Sequence, residues 1–257
     1  MHVHRKLLRQ VVFGWILRQR GFDNFLFGCG QNNRLFGGSA GLLGLGRDRL
    51  SVVQQTAPKY GRFFSYCLPS SASSTGHLTF GRGTYNASKA VRFTPLSKVS
   101  EGVPFYGLKT MGISVGGRRL AIVPSVFSAS GTFIDSGVVI THLPPAAYSA
   151  LRTAFREAMK AYPLTDALTI LDTCYDLSKY DKIKFPKITL SFSGDINVEL
   201  DQAGVFFAEK VSQVCLAFAG NEDAKNAAIL GNVQQQRLEV VYDVAEGWVG
   251  FGPAGCS

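Results

Sequence analysis

Apolar and polar residues alternate with a period of two along much of the chain, a pattern typical of β-strands with one buried face. Lys187–Phe192 shows this alternation clearly, and glycine-containing turns such as Gly116-Gly117 and Glu246-Gly247 separate such stretches. The predicted strands are Phe25–Phe27, His77–Phe80, Phe105–Val115, Lys184–Phe192, Ser212–Phe218, Leu238–Val244 and Trp248–Phe251. The pattern therefore predicts an all-β fold with only a few short helices.

Two segments have helical rather than strand-like patterns. Asp48–Ala57 predicts a short helix that stops at Pro58. A longer helix is predicted to begin at Pro144-Pro145, because Tyr148, Leu151, Phe155 and Met159 recur at helical spacing and form one apolar face. Charged residues occupy the other face, so this helix is expected to pack on a sheet in a structural role.

Composition and charge exclude several classes of protein. The 257 residues are 46% hydrophobic, which is enough to form a core and excludes a disordered chain. The longest apolar run, Val11–Leu17, is shorter than the ~20 residues that span a bilayer, so no membrane span is expected. The net charge is +9, but residues 1–21 hold five basic residues and no acid, leaving 22 basic against 18 acidic residues elsewhere. The remaining charge of +4 does not indicate a nucleic-acid partner, and residues 1–21 resemble a basic leader without a convincing signal peptide.

The cysteines and histidines do not have the spacing of a metal site. None of the five cysteines forms a C-x-x-C motif, and the four histidines offer no zinc pattern, so neither a metal nor a cofactor is expected. Widely separated cysteines suit the disulfides of a secreted or luminal protein, although an odd number leaves at least one thiol unpaired. The sequon that begins at Asn86 is a possible N-glycosylation site and agrees with a secretory history.

The strongest candidate for chemistry is Asp135-Ser136-Gly137, which lies between two apolar runs. Such an arrangement holds a carboxylate at a tight turn after a buried strand, where Ser136 could donate a hydrogen bond to it. An ordinary turn would favour the same residue types for backbone reasons. Ala228–Asn232 and Gly41–Gly46 each place a glycine after apolar residues, which indicates two copies of a buried strand-and-glycine element and thus two related lobes.

Seven short motifs lie in order between Phe22 and Ser257, namely Phe27–Gly30, Gly41–Gly46, Phe64–Leu68, Ile134–Gly137, Asp172–Tyr175, Val214–Phe218 and Ala228–Asn232. Through these motifs the sequence resembles plant pepsin-like aspartic endopeptidases of the nepenthesin-like branch, which are related in fold to plant xylanase inhibitors. The resemblance implies a bilobal all-β fold that binds an extended peptide or protein substrate in a cleft between the lobes. It also implies an extracellular or vacuolar location.

Carried over by resemblance, Asp135 is the second catalytic aspartate, with Ser136 and Gly137 completing its motif. Ile229, Leu230 and Gly231 support the catalytic loop. In this family two aspartates share one proton, and a water activated between them attacks the peptide bond. The family's first Asp-Thr-Gly-Ser and its flap tyrosine do not occur in this sequence. We therefore expect a basic leader over residues 1–21, an incomplete N-terminal lobe over 22–100 and a complete C-terminal lobe over 101–257.

The resemblance also implies a pairing of the cysteines. Cys174 would pair with Cys215 inside the C-terminal lobe, and Cys67 with Cys256. Cys29 would be a free thiol, because its family partner lies in a segment that this sequence lacks.

Three hypotheses of function follow. The first is an aspartic endopeptidase that retains only Asp135 and is weakly active or inactive as a monomer, unless a dimer brings two Asp135 residues together. The second is a non-catalytic binding protein similar to the xylanase inhibitors. The third is a chain that folds in part and self-associates through apolar strand edges of its incomplete lobe.

Overall fold

A computed structural model describes residues 22, 24–28, 41–71, 73–84, 90–98, 104–253 and 255–256. The basic leader over residues 1–21, the predicted free thiol Cys29 and the predicted glycosylation site Asn86 lie outside these residues. No helix in the described ranges is both long enough and apolar enough to cross a membrane.

The described residues are mainly β, as the alternating pattern predicts. The helices are α1 (Val52–Gln55), α2 (Ala57–Tyr60), α3 (Ser125–Ser128), α4 (Pro145–Ala158) and α5 (Asn232–Gln235). The first nine strands are β1 (Phe63–Cys67), β2 (His77–Phe80), β3 (Arg92–Pro95), β4 (Tyr106–Leu108), β5 (Thr110–Val115), β6 (Arg118–Arg119), β7 (Thr132–Ile134), β8 (Thr141–Leu143) and β9 (Leu164–Thr165). The remaining strands are β10 (Cys174–Tyr175), β11 (Ile188–Phe192), β12 (Ile196–Glu199), β13 (Phe206–Lys210), β14 (Gln213–Leu216), β15 (Phe218–Gly220), β16 (Ala228–Leu230), β17 (Glu239–Asp243) and β18 (Trp248–Gly252).

One five-stranded sheet, the joining sheet, combines strands from distant parts of the chain. Its order is β2-β1-β17-β18-β3, with antiparallel pairing throughout. All five residues of β1 and of β17 are buried. A disulfide between Cys67 and Cys256 fastens the end of β1 to the C-terminal segment. The joining sheet therefore takes strands from both sides of the lobe boundary that the sequence suggests near residue 100.

A second five-stranded sheet, the site sheet, has the order β15-β8-β16-β7-β4. β16 runs parallel to β7 and lies between β7 and β8, although it follows them by almost a hundred residues. The flank sheet, ordered β12-β11-β5-β6, packs against it. Thr110, Leu190 and Phe192 of the flank sheet line a small apolar space together with Thr132 and Leu230 of the site sheet. Apolar side chains between the flank sheet and the site sheet thus support β7 and β16.

The cystine sheet, ordered β13-β14-β10-β9, contains the second disulfide, between Cys174 and Cys215. These cysteines face each other in the register of β10 and β14. Helix α4 buries Tyr148, Leu151 and Phe155, the apolar face that the sequence predicts. Gly220 of β15 is needed beside this helix, because a Cβ there would lie 2.9 Å from the Tyr148 ring.

Several details differ from the sequence predictions. The predicted strand Phe105–Val115 is divided into β4 and β5, and Ser212–Phe218 is divided between β14 and β15. The helix expected over Asp48–Ala57 forms as α1 and α2, and Pro58 sits in the first turn of α2, where proline is tolerated. Phe25–Phe27 does not form a strand. Gly41–Gly46 is not a buried strand either, since Leu42 is 83% exposed and Leu43 59% exposed. No described strand pairs with this segment, so its leucines are not covered as those of β16 are.

Candidate functional site

Asp135 lies at the tight turn that follows β7. Its backbone N–H donates to the Leu230 carbonyl at 3.1 Å, which ties the turn to the end of β16. The Gly137 N–H donates to Asp135 Oδ1 at 2.8 Å. The side chain is half-buried, so one part of the carboxylate is held by the backbone while the rest remains accessible. A backbone N–H bonded to a carboxylate fixes its orientation.

The turn after β16 passes close to the segment that leads into β8. A Cβ on Gly231 would lie 2.7 Å from the Ile140 carbonyl carbon, so only glycine permits this approach. The Gly231 N–H donates to Thr141 Oγ1 at 2.9 Å, and Asn232 Nδ2 donates to the Ser136 carbonyl at 3.1 Å. The structure thus brings together the predicted site residues, which are Asp135, Ser136, Gly137, Ile229, Leu230 and Gly231.

Ser136 and Tyr66 of the joining sheet line the same cavity. The hydrogen bond that orients the Asp135 carboxylate comes from the backbone N–H of Gly137. The Asp135 turn therefore lies beside the joining sheet.

Two buried residues that sequence reasoning missed support the site. Gln235 donates from Nε2 to the carbonyls of Leu230 and Gly231, at 2.9 and 3.1 Å. Its Oε1 accepts a hydrogen bond from the Tyr66 hydroxyl, which also lies 3.2 Å from the Tyr242 hydroxyl. Burial raises the pKa of the Tyr66 hydroxyl, so Tyr66 keeps its proton and remains a donor. We call Tyr66 and Gln235 the strut, because they connect the joining sheet to the glycine turn.

A signal for the strut is present in the sequence. Gln234, Gln235 and Gln236 follow the apolar stretch Ala228–Leu230 after three intervening residues, and amides close to a buried segment need internal partners. Gln234 fits the same account, since it is buried and bonds to the carbonyls of Gly204 and Ala217.

A cavity opens beside Asp135 and encloses about 910 Å³, including the part open to solvent. Its lining is largely apolar and aromatic, and Asp135 is its one carboxylate in the described part of the chain. The Tyr106 hydroxyl donates to the Leu45 carbonyl at 2.8 Å and holds the segment Leu42–Gly46 beside the cavity. The lining residues are Leu42, Leu43, Gly44, Leu45, Gly46, Phe64, Tyr66, Pro104, Phe105, Tyr106, Ile134, Asp135, Ser136, Gly137 and Tyr242.

The chemistry of this site is that of a carboxylate beside an apolar groove. A cavity of this kind suits apolar side chains of a peptide, with Asp135 available to accept or donate a proton. Within the described ranges, no group of three or more His, Cys, Asp or Glu side chains could hold a metal ion.

Family models and known proteins match most of the chain. Residues 105–253 match the family model described as Xylanase inhibitor C-terminal, and residues 8–82 match Xylanase inhibitor N-terminal. An aspartyl protease family protein of Arabidopsis thaliana is 59% identical over 237 residues, which cover 92% of this chain and 50% of that protein. Aspartic proteinase nepenthesin-2 of Nepenthes gracilis is 32% identical, with 91% of this chain and 54% of that protein covered. The chain spans about half the length of these curated relatives.

Solved structures show the same fold at low sequence identity. The crystal structure of edgp superposes with a TM-score of 0.76 at 22% identity, covering 90% of this chain and 64% of that one. Basic 7S globulin from soybean superposes with a TM-score of 0.70 at 22% identity, covering 84% and 57%. The predicted mainly-β, pepsin-like fold is thereby confirmed. With its sequence matched in this way, the chain belongs to the plant pepsin-like aspartyl protease family, which includes nepenthesin and shares the xylanase inhibitor N-terminal and C-terminal domains.

Proposed function

We propose that the chain carries one half of an aspartic endopeptidase site, with Asp135 as its catalytic carboxylate and an extended peptide as substrate. The observation that supports this most is the setting of Asp135. It lies at a turn fixed by Gly137 and Leu230 and faces an apolar cavity. The relatives of the chain are named as aspartyl proteases or aspartic proteinases.

Peptide hydrolysis in this class of enzyme needs two carboxylates about 3 Å apart, because the shared proton makes one a base and the other an acid. The base takes a proton from the attacking water, and the acid polarises the carbonyl of the scissile bond. Asp135 is the one carboxylate that lines the described cavity. We therefore expect this chain alone to hydrolyse peptides weakly or not at all, until a second carboxylate is brought to Asp135.

The test is a peptidase assay on a denatured protein substrate at about pH 3–5, where one carboxyl of such a pair is protonated. Asp135→Asn keeps the shape of the side chain and removes its acid chemistry. Asp181→Asn, at an exposed position outside the cavity lining, is the matched control. We expect any hydrolysis by the chain to be lost in Asp135→Asn and kept in Asp181→Asn. Hydrolysis that survives Asp135→Asn would overturn the assignment.

A second candidate is a non-catalytic binding protein or glycosidase inhibitor. The family models that match the chain are described as xylanase inhibitor domains, and the cavity has a single described carboxylate. The test is inhibition of a purified xylanase by the same preparation. Inhibition that Asp135→Asn leaves unchanged, in a preparation without peptidase activity, would favour this candidate over the first.

An extracellular or vacuolar location is part of the first proposal. Two disulfides, Cys67–Cys256 and Cys174–Cys215, are in keeping with an oxidising compartment. Fractionation of a tagged chain, with the disulfides assayed by mass spectrometry, tests this location.

A further inference from the structure

The outward face of the flank sheet has a row of small and polar residues that the proposed peptidase site does not use. Ile113 and Leu190 point into the core, so their neighbours Gly112 and Ser191 point to the opposite face of the sheet, where Ser191 is 7% exposed. Ser191 is directly opposite Gly112 on one side and Asn197 on the other. The three positions therefore form a line across three adjacent strands, β5, β11 and β12.

Arg119 lies flat over the glycine in this row. A Cβ on Gly112 would lie 2.8 Å from Arg119 Nη2, so glycine leaves the room that the guanidinium occupies. Arg119 Nη2 donates to the Met111 carbonyl at 2.5 Å. This contact holds one edge of the guanidinium to the sheet and leaves its other N–H groups available.

Around this row runs a groove, the flank groove, of about 710 Å³ including the part open to solvent. Neither Lys109 nor Arg119 forms an ion pair with any residue in the described ranges, and Asp195 is the one described carboxylate in the lining. The nearby Glu199 is paired with Lys187 at 2.8 Å. The lining residues are Lys109, Met111, Arg119, Ser191, Phe192, Ser193, Gly194, Asp195 and Asn197.

The polar groups of the flank groove are complementary to hydroxyl groups as well as to negative charge. Asn197 Oδ1 accepts a hydrogen bond from Ser191 Oγ at 2.6 Å, which leaves the Asn197 Nδ2 group to donate outward. Asp195 is exposed and can accept from a ligand hydroxyl. Met111 adds an apolar surface of the kind on which a sugar ring can lie.

We propose that the flank groove binds a short acidic oligosaccharide of the uronic acid type. Arg119 and Lys109 would bind its carboxylates, while Asn197 and Asp195 would hydrogen-bond its hydroxyls. A densely charged polymer such as a nucleic acid fits less well, because Asp195 repels closely spaced negative charges. The proposal does not depend on the function proposed for Asp135, since the two sites share no residue.

Calorimetric titration of the folded chain with trigalacturonic acid tests the proposal, with the neutral galactose trisaccharide as the comparison ligand. We expect the acidic trisaccharide to bind at least about tenfold more tightly than the neutral one, because charge-assisted hydrogen bonds are the stronger kind. Arg119→Gln and Lys109→Gln should each weaken binding about tenfold. Asn197→Ala should also weaken it, since hydroxyl recognition is lost.

Arg118→Gln is the charge-matched control. Arg118 is next to Arg119 in β6, and both line a groove against α4, but only Arg119 also lines the flank groove. Arg118→Gln removes the same charge as Arg119→Gln and should change the affinity for the acidic trisaccharide less than about twofold.

Three outcomes would overturn the proposal. One is undetectable binding of the acidic trisaccharide at millimolar concentration, and another is equal weakening by Arg118→Gln and Arg119→Gln. The third is that inorganic phosphate binds as tightly as the acidic trisaccharide and displaces it from the groove. This result would mean a simple anion site without sugar recognition. Near-ultraviolet circular dichroism checks that Arg119→Gln is folded. Lys109→Gln alters an exposed side chain and keeps the test decisive if Arg119→Gln is not folded.

Discussion

At the scale of single residues, the turn that carries Asp135 depends on the strut formed by Tyr66 and Gln235. These two residues lie 169 positions apart in the sequence, yet their side chains share a buried hydrogen bond. The Gln235 side chain also donates from Nε2 to the carbonyls of Leu230 and Gly231. A side chain that bonds to both carbonyls of a glycine turn restricts how the turn can move.

Tyr66→Phe is expected to lower the free energy of unfolding by about 1–3 kcal/mol, because Gln235 Oε1 would remain buried without its donor. Urea unfolding followed by fluorescence measures the change. Tyr242→Phe is the control, since it removes only the 3.2 Å contact with Tyr66 and leaves the bond to Gln235 in place. Equal losses in the two variants would show that the strut adds nothing specific.

At the scale of elements, helix α4 is fastened to the segment that enters β10 through Asp172. This carboxylate accepts hydrogen bonds from the Tyr148 hydroxyl, from Arg152 Nη1 at 2.6 Å and from Thr173 Oγ1 at 2.8 Å. Partial burial on its own would raise the pKa of Asp172. The hydrogen bonds from Tyr148, Thr173 and Arg152 outweigh it and hold the pKa below its ordinary value.

The lowered pKa of Asp172 makes a pH-dependent contribution to stability. It is fully present above the unfolded pKa, near 3.9, and is lost as the pH falls through the lower folded value. Asp172→Asn should therefore reduce stability at pH ~6 and flatten its decline toward pH ~2. Urea unfolding at a series of pH values checks this, with exposed Asp181→Asn as the control. Parallel pH profiles for the wild type and Asp172→Asn would contradict the assignment.

At the scale of the whole molecule, the cavity beside Asp135 is bordered by apolar side chains that the described residues leave uncovered. Leu42 is 83% exposed, Leu43 59% and Phe105 39%. Clustered apolar exposure of this kind promotes association between molecules. We therefore propose that the chain self-associates through the rim of the cavity, which is formed by Leu42, Leu43 and Phe105.

Replacing both Leu42 and Leu43 by Ser should reduce concentration-dependent association, because the uncovered apolar area at the rim falls. Sedimentation velocity over a range of protein concentrations measures this. Leu164 and Ile170 are each 56% exposed and lie outside the cavity lining, so the Leu164→Ser, Ile170→Ser double variant is the matched control. Equal effects of the two double variants would indicate that exposed apolar side chains promote association in general, and not specifically those at the rim of the cavity.

Much of the local structure could be predicted from the sequence. The strand His77–Phe80 forms with the predicted bounds, and helix α4 buries the predicted apolar face. Periodicity succeeds at these places because side-chain direction repeats with the backbone geometry of each element. It failed at Gly41–Gly46, where the pattern of a buried strand is present but no described strand covers the leucines.

The sequence by itself determined the β-rich fold and the placing of Asp135, Gly137 and Gly231 at turns, because those depend on neighbouring residues. Only the tertiary structure decided that β16 enters between β7 and β8, and that Gln235 meets Tyr66. The same holds for the alignment of Arg119, Ser191 and Asn197 along the flank groove. Such juxtapositions follow from strand order and register, which arise from packing between distant segments and leave no periodic signal in either segment alone.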